Sequence, residues 1–484
     1  MAIFFNILEF LIFTKLFLFW LWLWQLKEYH TGRFLAHFET QKIKKFISSF
    51  WRLKYPKFTK KIISIFLSGT LLAILWFSFS RATAKGEEES LLSSTFSGIL
   101  LIILAPLFSS LLVLLFQIPT VFWRKIIINK ARGKREQFKN LLVIGITGSY
   151  GKTSTKEFLA TILSEKFKVF KTKEHQNSEV GISQCILNDS KEEHEIFVVE
   201  MGAYNRGGIK LLCDIAKPKI GVVTGVNEQH LATFGKMKNL LSAEGGGELI
   251  ESLPEDGIAF FNAKNKHCLE LYKRTPNQSK LGTGQAKIKK FLYGENATFA
   301  GGENILGAMA VAKELGMTDE EISRGVEKIE NKFPGIQIKK GIEGINVIDA
   351  TYSANPDGVI AHLEYLKNFT GRKIIVMPCL IELGSASKEV HKKIGKKIAE
   401  VCGLAIITTK DRFKEIREGA LLRQGYGGRE IEKNNILFLE NPQEIFEKIK
   451  SFLERDLSSE ASAKEDVILL ESRVPNQLIR QLAF

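Results

Sequence analysis

The chain is poor in cysteine: five in 484 residues, at Cys185, Cys213, Cys268, Cys379 and Cys402, none forming a C-x-x-C pair. That scatter argues against a disulfide framework and for reduced, mostly buried thiols in a reducing compartment. Internal repeats and low-complexity tracts are absent. The apolar N-terminus has no basic leading region and no small-residue cleavage site, which argues against a secretory signal peptide. A general basic character is lacking too, despite a formal net charge of +15. Between Lys27 and Lys61 ten Lys/Arg face two Glu, and between Arg124 and Asn140 seven face one, so everything else carries about +1. The basic charge therefore belongs to two short segments beside apolar runs. That placement favours a membrane surface over nucleic acid.

Three long apolar runs are present: residues 1–26, Ile62–Ser80 and Leu91–Trp123. They predict about three transmembrane helices, near residues 3–26, 62–80 and 91–123. Trp20, Trp22 and Trp24 suit an interfacial belt, while Glu9 and Lys15 are unusual inside a span. The third run exceeds the roughly 20 residues a span needs, which predicts tilt or a kink at Pro106. By the positive-inside rule, Lys27–Lys61 and everything after Arg124 face the cytoplasm, while Arg81–Ser90 and the N-terminus lie outside. The expected location is the cytoplasmic membrane, with the later domains on the cytoplasmic side.

From Leu141 the texture changes to short apolar runs alternating with helical patterns. Strands are expected at Leu141–Ile144, Ile196–Glu200, Ile220–Thr224, Ala259–Asn262, Val347–Ile348, Ile374–Met377, Ala405–Thr408 and Val467–Leu470. The alternation predicts an α/β fold with largely parallel sheets. A Gly- and Pro-containing break at Asn331–Gly344 divides it. The expected domains are 1–139 (membrane), 140–333 (central) and 334–484 (C-terminal).

The stretch LLVIGITGSYGKTSTKEF, Leu141–Phe158, joins a strand to a helical pattern through Gly148, Ser149, Gly151, Lys152, Thr153 and Ser154. Glycines let backbone N–H groups approach phosphates, and a helix N-terminus adds partial positive charge. A loop lysine reaches the terminal phosphates, and the next hydroxyl can hold Mg²⁺. The spacing is not the general G-x4-G-K-[ST], since Ile146 stands five residues before Gly151. Glu200, at the tip of a strand, is placed to hold Mg²⁺, which prefers oxygen ligands. His230 follows another strand. Asn177 and Ser178 lie in a polar loop leading into a helix near Val180. Asp349 ends a strand before Thr351-Tyr352-Ser353-Ala354-Asn355-Pro356-Asp357.

Together these residues resemble the Mur ligase family, in particular the type that adds D-alanyl-D-alanine to a UDP-linked muramoyl tripeptide. The resemblance runs from about Leu141 to Arg473. It rests on GITGSYGKTSTKE, EMGAYNRGGI, HLATFG, ESLPEDGIAFFN, IDATYSANPDG and IELGSASKEVHKKIG. It implies a central P-loop ATPase domain and a Rossmann-like C-terminal domain using ATP and Mg²⁺. Lys152 and Thr153 would bind the ATP phosphates and Mg²⁺, and Glu200 and His230 would be metal-side ligands. Asn304 would face the adenine, and Asp349, Tyr352 and Asn355 would contact the nucleotide. A carboxylate would become an acyl phosphate and an amine would then attack it. Such chemistry asks the protein mainly to position groups and neutralise charge.

The sequence also departs from the family. Where a lysine modified to a carbamate is usual, this chain has Ala243-Glu244-Gly245-Gly246-Gly247-Glu248, with Gly246 as the expected counterpart and Glu244 as a possible source of negative charge. Ile336 stands for an arginine, Glu303 for a histidine, and Glu471-Ser472-Arg473 for Gly-Ser-Arg. The apolar runs occupy the place of the UDP-binding domain. The implied acceptor is a UDP- or lipid-linked cell-wall precursor, joined to an amino acid or dipeptide. The alternatives are a related ligase of the polyglutamate or cyanophycin type, and a non-catalytic ATP-binding membrane scaffold.

Overall fold

A computed structural model describes residues 2–27, 29, 31–36, 54–82, 86–174, 176–275, 288–297, 301–330, 337–351, 355–421, 435–454 and 466–482. The chain forms two compact units, Met1–Ile126 and Ile127–Phe484.

The first unit is helical. Helices Ala2–Leu26, Lys60–Ala82, Glu87–Ile103 and Ala105–Leu115 pack around Phe13, Phe17, Leu21, Ile62, Ile65 and Leu112. Three stretches are long and apolar enough to cross a membrane: Asn6–Leu26, Lys60–Ala82 and Ala105–Gln137, the last made of helices Ala105–Leu115 and Gln117–Gln137. The run over Leu91–Trp123, expected to tilt or kink at Pro106, is interrupted near that residue. The run is broken at Leu104, which ends one helix and caps the next, and again at Phe116. Pro106 lies in the first turn after the first break, where its missing N–H costs no helical hydrogen bond. Glu9 is buried against Gly98.

The second unit holds two six-stranded sheets. In the first, strands β1 (Leu142–Thr147), β2 (Val169–Lys171), β3 (Ile196–Glu200), β4 (Ile220–Val223), β5 (Ile258–Asn262) and β6 (Lys289–Tyr293) run parallel in the order β2-β3-β1-β4-β5-β6. In the second, β7 (Gln337–Lys340), β8 (Asn346–Ala350), β9 (Lys373–Met377), β10 (Leu404–Ile407), β11 (Ile436–Phe438) and β12 (Val467–Glu471) take the order β11-β10-β9-β12-β8-β7. Only β7 is antiparallel among the described pairs.

Alternating side chains explain the layering. Val143, Phe197, Val199 and Phe261 enter the core on one face of the first sheet, while Ile144, Ile146, Val198 and Phe260 enter the core on the other. Ile375 and Met377 against Ile374 and Val376 do the same in the second sheet. A parallel sheet covered by helices on both faces needs such two-sided apolar strands. Ligand-binding loops then gather at the carboxyl ends of the strands. The five cysteines are buried and unpaired.

Candidate active site

The loop after β1 is shaped by two glycines. Gly148 has φ +144°, and a Cβ there would lie 2.2 Å from Thr224 Oγ1; Gly151 has φ +79°, and a Cβ there would lie 2.6 Å from Asn304 Oδ1. L side chains avoid both conformations, so glycine is required at each. Helix Lys152–Leu163 begins directly after Gly151, three residues earlier than the sequence pattern suggests. The loop is fastened from beneath. The Ser149 N–H donates to the Gly225 carbonyl at 2.6 Å, and Thr155 Oγ1 donates to Asn304 Oδ1 at 3.2 Å. The Ser149 hydroxyl is buried with no hydrogen-bond partner among the described residues, as fits a loop shaped to donate to a phosphate. Thr153 and Ser154 occupy the first, half-buried turn of the helix.

Lys152 folds back over this loop. Its Nζ donates to the Gly148 carbonyl and to Glu244 Oε1 at 3.1 Å. The other Glu244 oxygen, Oε2, lies 3.0 Å from His230 Nδ1. Glu244 is 1% exposed. Burial alone would push its carboxyl up, but the charges and hydrogen bonds of Lys152 and His230 hold it below the ordinary carboxylate range. The negative charge expected of Glu244 is thus placed beside Lys152 and His230. Gly246, with φ +97°, caps the short helix Gly247–Glu251, and a Cβ there would lie 2.6 Å from Val223. Glu244 is the residue that reaches Lys152 and His230.

Glu200 sits at the end of β3, beside the loop strand, and is nearly buried. Asn177 Nδ2 donates to its Oε1 at 3.0 Å, and Lys156 Nζ lies 3.4 Å from its Oε2. The segment following Glu200 brings Tyr204 edge-on to the His230 ring, 5.1 Å between centroids. Glu248 braces this segment by accepting from the N–H groups of Gly207 at 2.7 Å and Lys210 at 3.0 Å.

The C-terminal domain closes against these loops. Asn227 Nδ2 donates to Asn355 Oδ1 at 2.9 Å and to Asp357 Oδ2 at 3.1 Å. The Ala232 N–H donates to the Glu382 carbonyl at 3.1 Å, and His230 Nε2 lies 3.9 Å from the Glu382 carboxylate. A cavity of about 400 Å³ lies at this junction, lined among others by Tyr150, Asn227, Asn265, His267, Asp357 and Lys393. Its position next to the loop suits a nucleoside.

The predicted residues fall into three groups. Lys152 and His230 converge on Glu244, and Glu200 stands at the neighbouring strand end. Asn304 lies beneath the loop, bonded to Thr155, and Asn355 caps helix Pro356–Tyr365 while bonding Asn227. Asp349 is bound by Lys339 Nζ at 3.1 Å and by Thr351, and these hold its carboxyl low despite its partial burial. None of Asn304, Asp349 and Asn355 is among the cavity-lining residues. Tyr352 and Ile336 lie outside the described residues.

Sequence reasoning missed Asn265, Asn227 and Lys156. Asn265 caps helix Lys266–Arg274 and donates to the Val226 carbonyl at 3.0 Å and to Tyr150 Oη at 3.3 Å. A usable signal was present in FFNAKN, where polar residues follow an apolar strand.

These side chains fit nucleotide and Mg²⁺. Among the described residues no three His, Cys, Asp or Glu side chains form a metal cage. Mg²⁺ does not require one, since it takes one or two carboxylates and completes its shell with phosphate oxygens and water. Glu200 and the Thr153 hydroxyl supply hard oxygen donors, and the glycine cradle leaves room for phosphates.

Comparison with known proteins agrees with this geometry. Residues 146–313 match the Mur ligase middle domain, and residues 336–473 match the Mur ligase, glutamate ligase domain. The chain belongs to the Mur ligase family. It is 30% identical over 307 residues to a UDP-N-acetylmuramoyl-tripeptide–D-alanyl-D-alanine ligase of Synechocystis, covering 60% of this chain and 66% of that protein. The Bacillus subtilis ligase of the same name is 26% identical over 350 residues, covering 68% and 72%. The chain thus spans about two thirds of the length of these Mur ligase relatives. In fold it is similar to MurF from Acinetobacter baumannii, with a TM-score of 0.61 at 21% identity over 74% of this chain and 79% of that one. MurF from Thermotoga maritima in complex with ADP gives 0.56 at 24% identity over 74% and 83%.

Proposed function

We propose that this Mur ligase family member is a membrane-anchored, ATP-dependent amide ligase of peptidoglycan precursor synthesis. It would activate an acceptor carboxylate as an acyl phosphate and join it to an amine such as D-alanyl-D-alanine. The observation that carries the reading is the Lys152–Glu244–His230 cluster at the mouth of the phosphate loop, with Glu200 on the adjacent strand.

In this reading the nucleoside occupies the interdomain cavity and the phosphates lie on the N–H groups of the Gly148–Ser154 turn. Lys152 leaves the Gly148 carbonyl and meets the terminal phosphate, where a fixed positive charge stabilises the loosened phosphoryl group. Glu244 keeps Lys152 aimed. His230 is held through Nδ1 by Glu244, with Nε2 3.9 Å from the Glu382 carboxylate of the C-terminal domain. Glu200 and Thr153 would hold Mg²⁺, which when bound neutralises phosphate charge. Asn227, Asn355 and Asp357 hold the domains closed, and closure excludes water from an intermediate that water would hydrolyse.

The three apolar helices and their basic flanks support anchoring with the ligase domains on the cytoplasmic side. They also favour a lipid-linked or membrane-proximal acceptor over a freely diffusing one. The test is phosphate release and product formation by the full chain in detergent or nanodiscs, with Mg·ATP, D-alanyl-D-alanine, and a UDP-linked or a lipid-linked precursor. Amine- and acceptor-dependent turnover is expected, faster with the lipid-linked precursor. No acceptor-dependent turnover with any pair would leave an ATP-binding scaffold, and a preference for the soluble precursor would remove the membrane-proximal acceptor.

A further inference from the structure

One charged side chain beside this site has no part in the mechanism above. Lys156 lies one helical turn after Lys152, on the inner face of helix Lys152–Leu163 with Leu159 and Leu163. It is fully buried, and among the described residues its Nζ makes no hydrogen bond. That ammonium stands 3.4 Å from Glu200 Oε2 and 3.4 Å from Glu157 Oε1. Glu157 is shared with Lys171, whereas the remaining Glu200 oxygen accepts from the neutral amide of Asn177. A leucine would fill this helix stripe without burying a charge. A buried ammonium is tolerated only where opposite charge compensates it. Here much of the compensation comes from the carboxylate assigned to the metal.

We propose that Lys156 is a positioning residue that makes divalent-cation binding at Glu200 conditional on nucleotide. The inference rests on the reading of Glu200 as the metal-side carboxylate. Without nucleotide, the ammonium already neutralises Glu200 and repels a second cation approaching the same oxygens. The repulsion acts at short range in a poorly solvated site, where charges are weakly screened. Nucleotide phosphates bring several negative charges and further oxygen ligands, and these outweigh the repulsion. The cation therefore enters with the nucleotide, and Glu200 does not become trapped by free metal. Lys156 also fixes the carboxylate direction, with Asn177 holding the other oxygen. Partners of metal ligands tune affinity in this way without touching the ion.

The test uses Mn²⁺ as the probe, titrated into the full chain and followed by the paramagnetic resonance of free Mn²⁺, with and without ADP. The native chain should bind Mn²⁺ at least about tenfold more tightly with ADP than without. Lys156→Met should raise the ADP-free affinity by about tenfold or more, and Lys156→Arg should behave as native. A Lys156→Met chain that binds ADP-free Mn²⁺ no better than native overturns the proposal. Glu200→Gln gives an arm that needs no Lys156 variant to fold. Without ADP it should match the native chain, and with ADP it should bind Mn²⁺ more weakly. A tight ADP-independent site in the native chain that Glu200→Gln abolishes also overturns the proposal. Equal Mn²⁺ binding by Glu200→Gln and native chain in ADP would instead show that Glu200 is not at the metal, and would remove the premise itself.

Discussion

Each sheet of the second unit has a buried glutamate paired with a histidine. Near the first sheet, Glu244 meets His230 Nδ1 at 3.0 Å; at the end of β12 in the second, Glu471 meets His362 Nδ1 at 2.6 Å. Both carboxylates are almost fully buried. Their acidities nevertheless move in opposite directions. Burial pushes the Glu471 carboxyl above the ordinary range, and the His362 bond offsets only part of this. Burial acts on Glu244 too, but Lys152 adds a second positive partner and the net shift is downward. The added lysine is the charge partner that the second pair lacks, and the two shifts differ in sign. The pair facing the phosphate loop has that lysine; among the described residues the pair in the second sheet lacks one and leaves Glu471 Oε1 without a hydrogen bond.

Removing the lysine should make the first pair resemble the second. Lys152→Ala is expected to lower ligase turnover by about 10²–10³-fold, the scale of losing one charge-stabilising donor. It should also raise the Glu244 carboxyl, so the acid limb of any residual activity moves to higher pH. A Lys152→Ala chain with native Mg·ATP affinity and turnover would undo the assignment of the loop.

Glu244→Gln keeps the shape and removes the charge. It should cost about 1–3 kcal/mol of stability in urea unfolding, because Lys152 and His230 lose their buried partner. The loss has a defined pH dependence. Glu244 is depressed, so its contribution is present above the unfolded value and disappears as pH falls through the folded value. The variant should therefore converge with the native chain in acid.

Glu471 should behave oppositely. Its folded carboxyl lies above the ordinary value of 4.5, so between those two values the native state binds more protons than the unfolded state. Stability should fall as pH rises through that window, and Glu471→Gln should flatten the fall. Unfolding midpoints across the acid range measure it, and a parallel dependence in both chains would show that Glu471 does not titrate there. The smallest effect is expected at the domain junction. Asn227→Ala removes the bonds to Asn355 and Asp357, each worth about 1 kcal/mol, and should raise the KM for ATP more than it lowers kcat.

The same contrast between inner and outer positions explains which strands could be read directly. The expected strands were β1, β3, β4, β5, β8, β9, β10 and β12, the inner four of each sheet. The missed ones, β2, β6, β7 and β11, are the four edges. Inner strands are covered on both faces and paired on both sides, so they are continuous apolar runs. The edge strands VFK, KKFLY and QIKK carry lysines, which discourage further pairing, and ILF is only three residues long. Their identity depends on a neighbour, not on their own composition. The site divides in the same way. The glycine loop, Lys152 and Glu200 follow from local spacing, whereas Glu244 lies 92 residues from Lys152 and Asn355 lies 128 from Asn227.

The sequence by itself determined the apolar helices, the inner strands and the phosphate loop, because hydrophobic period and glycine placement are local properties of the chain. Tertiary structure alone decided that Glu244 meets both Lys152 and His230, that Lys156 is buried against Glu200, and that Asn304 supports the loop from below. Those outcomes depend on which distant charges share a low-dielectric pocket, and no local pattern records that distance.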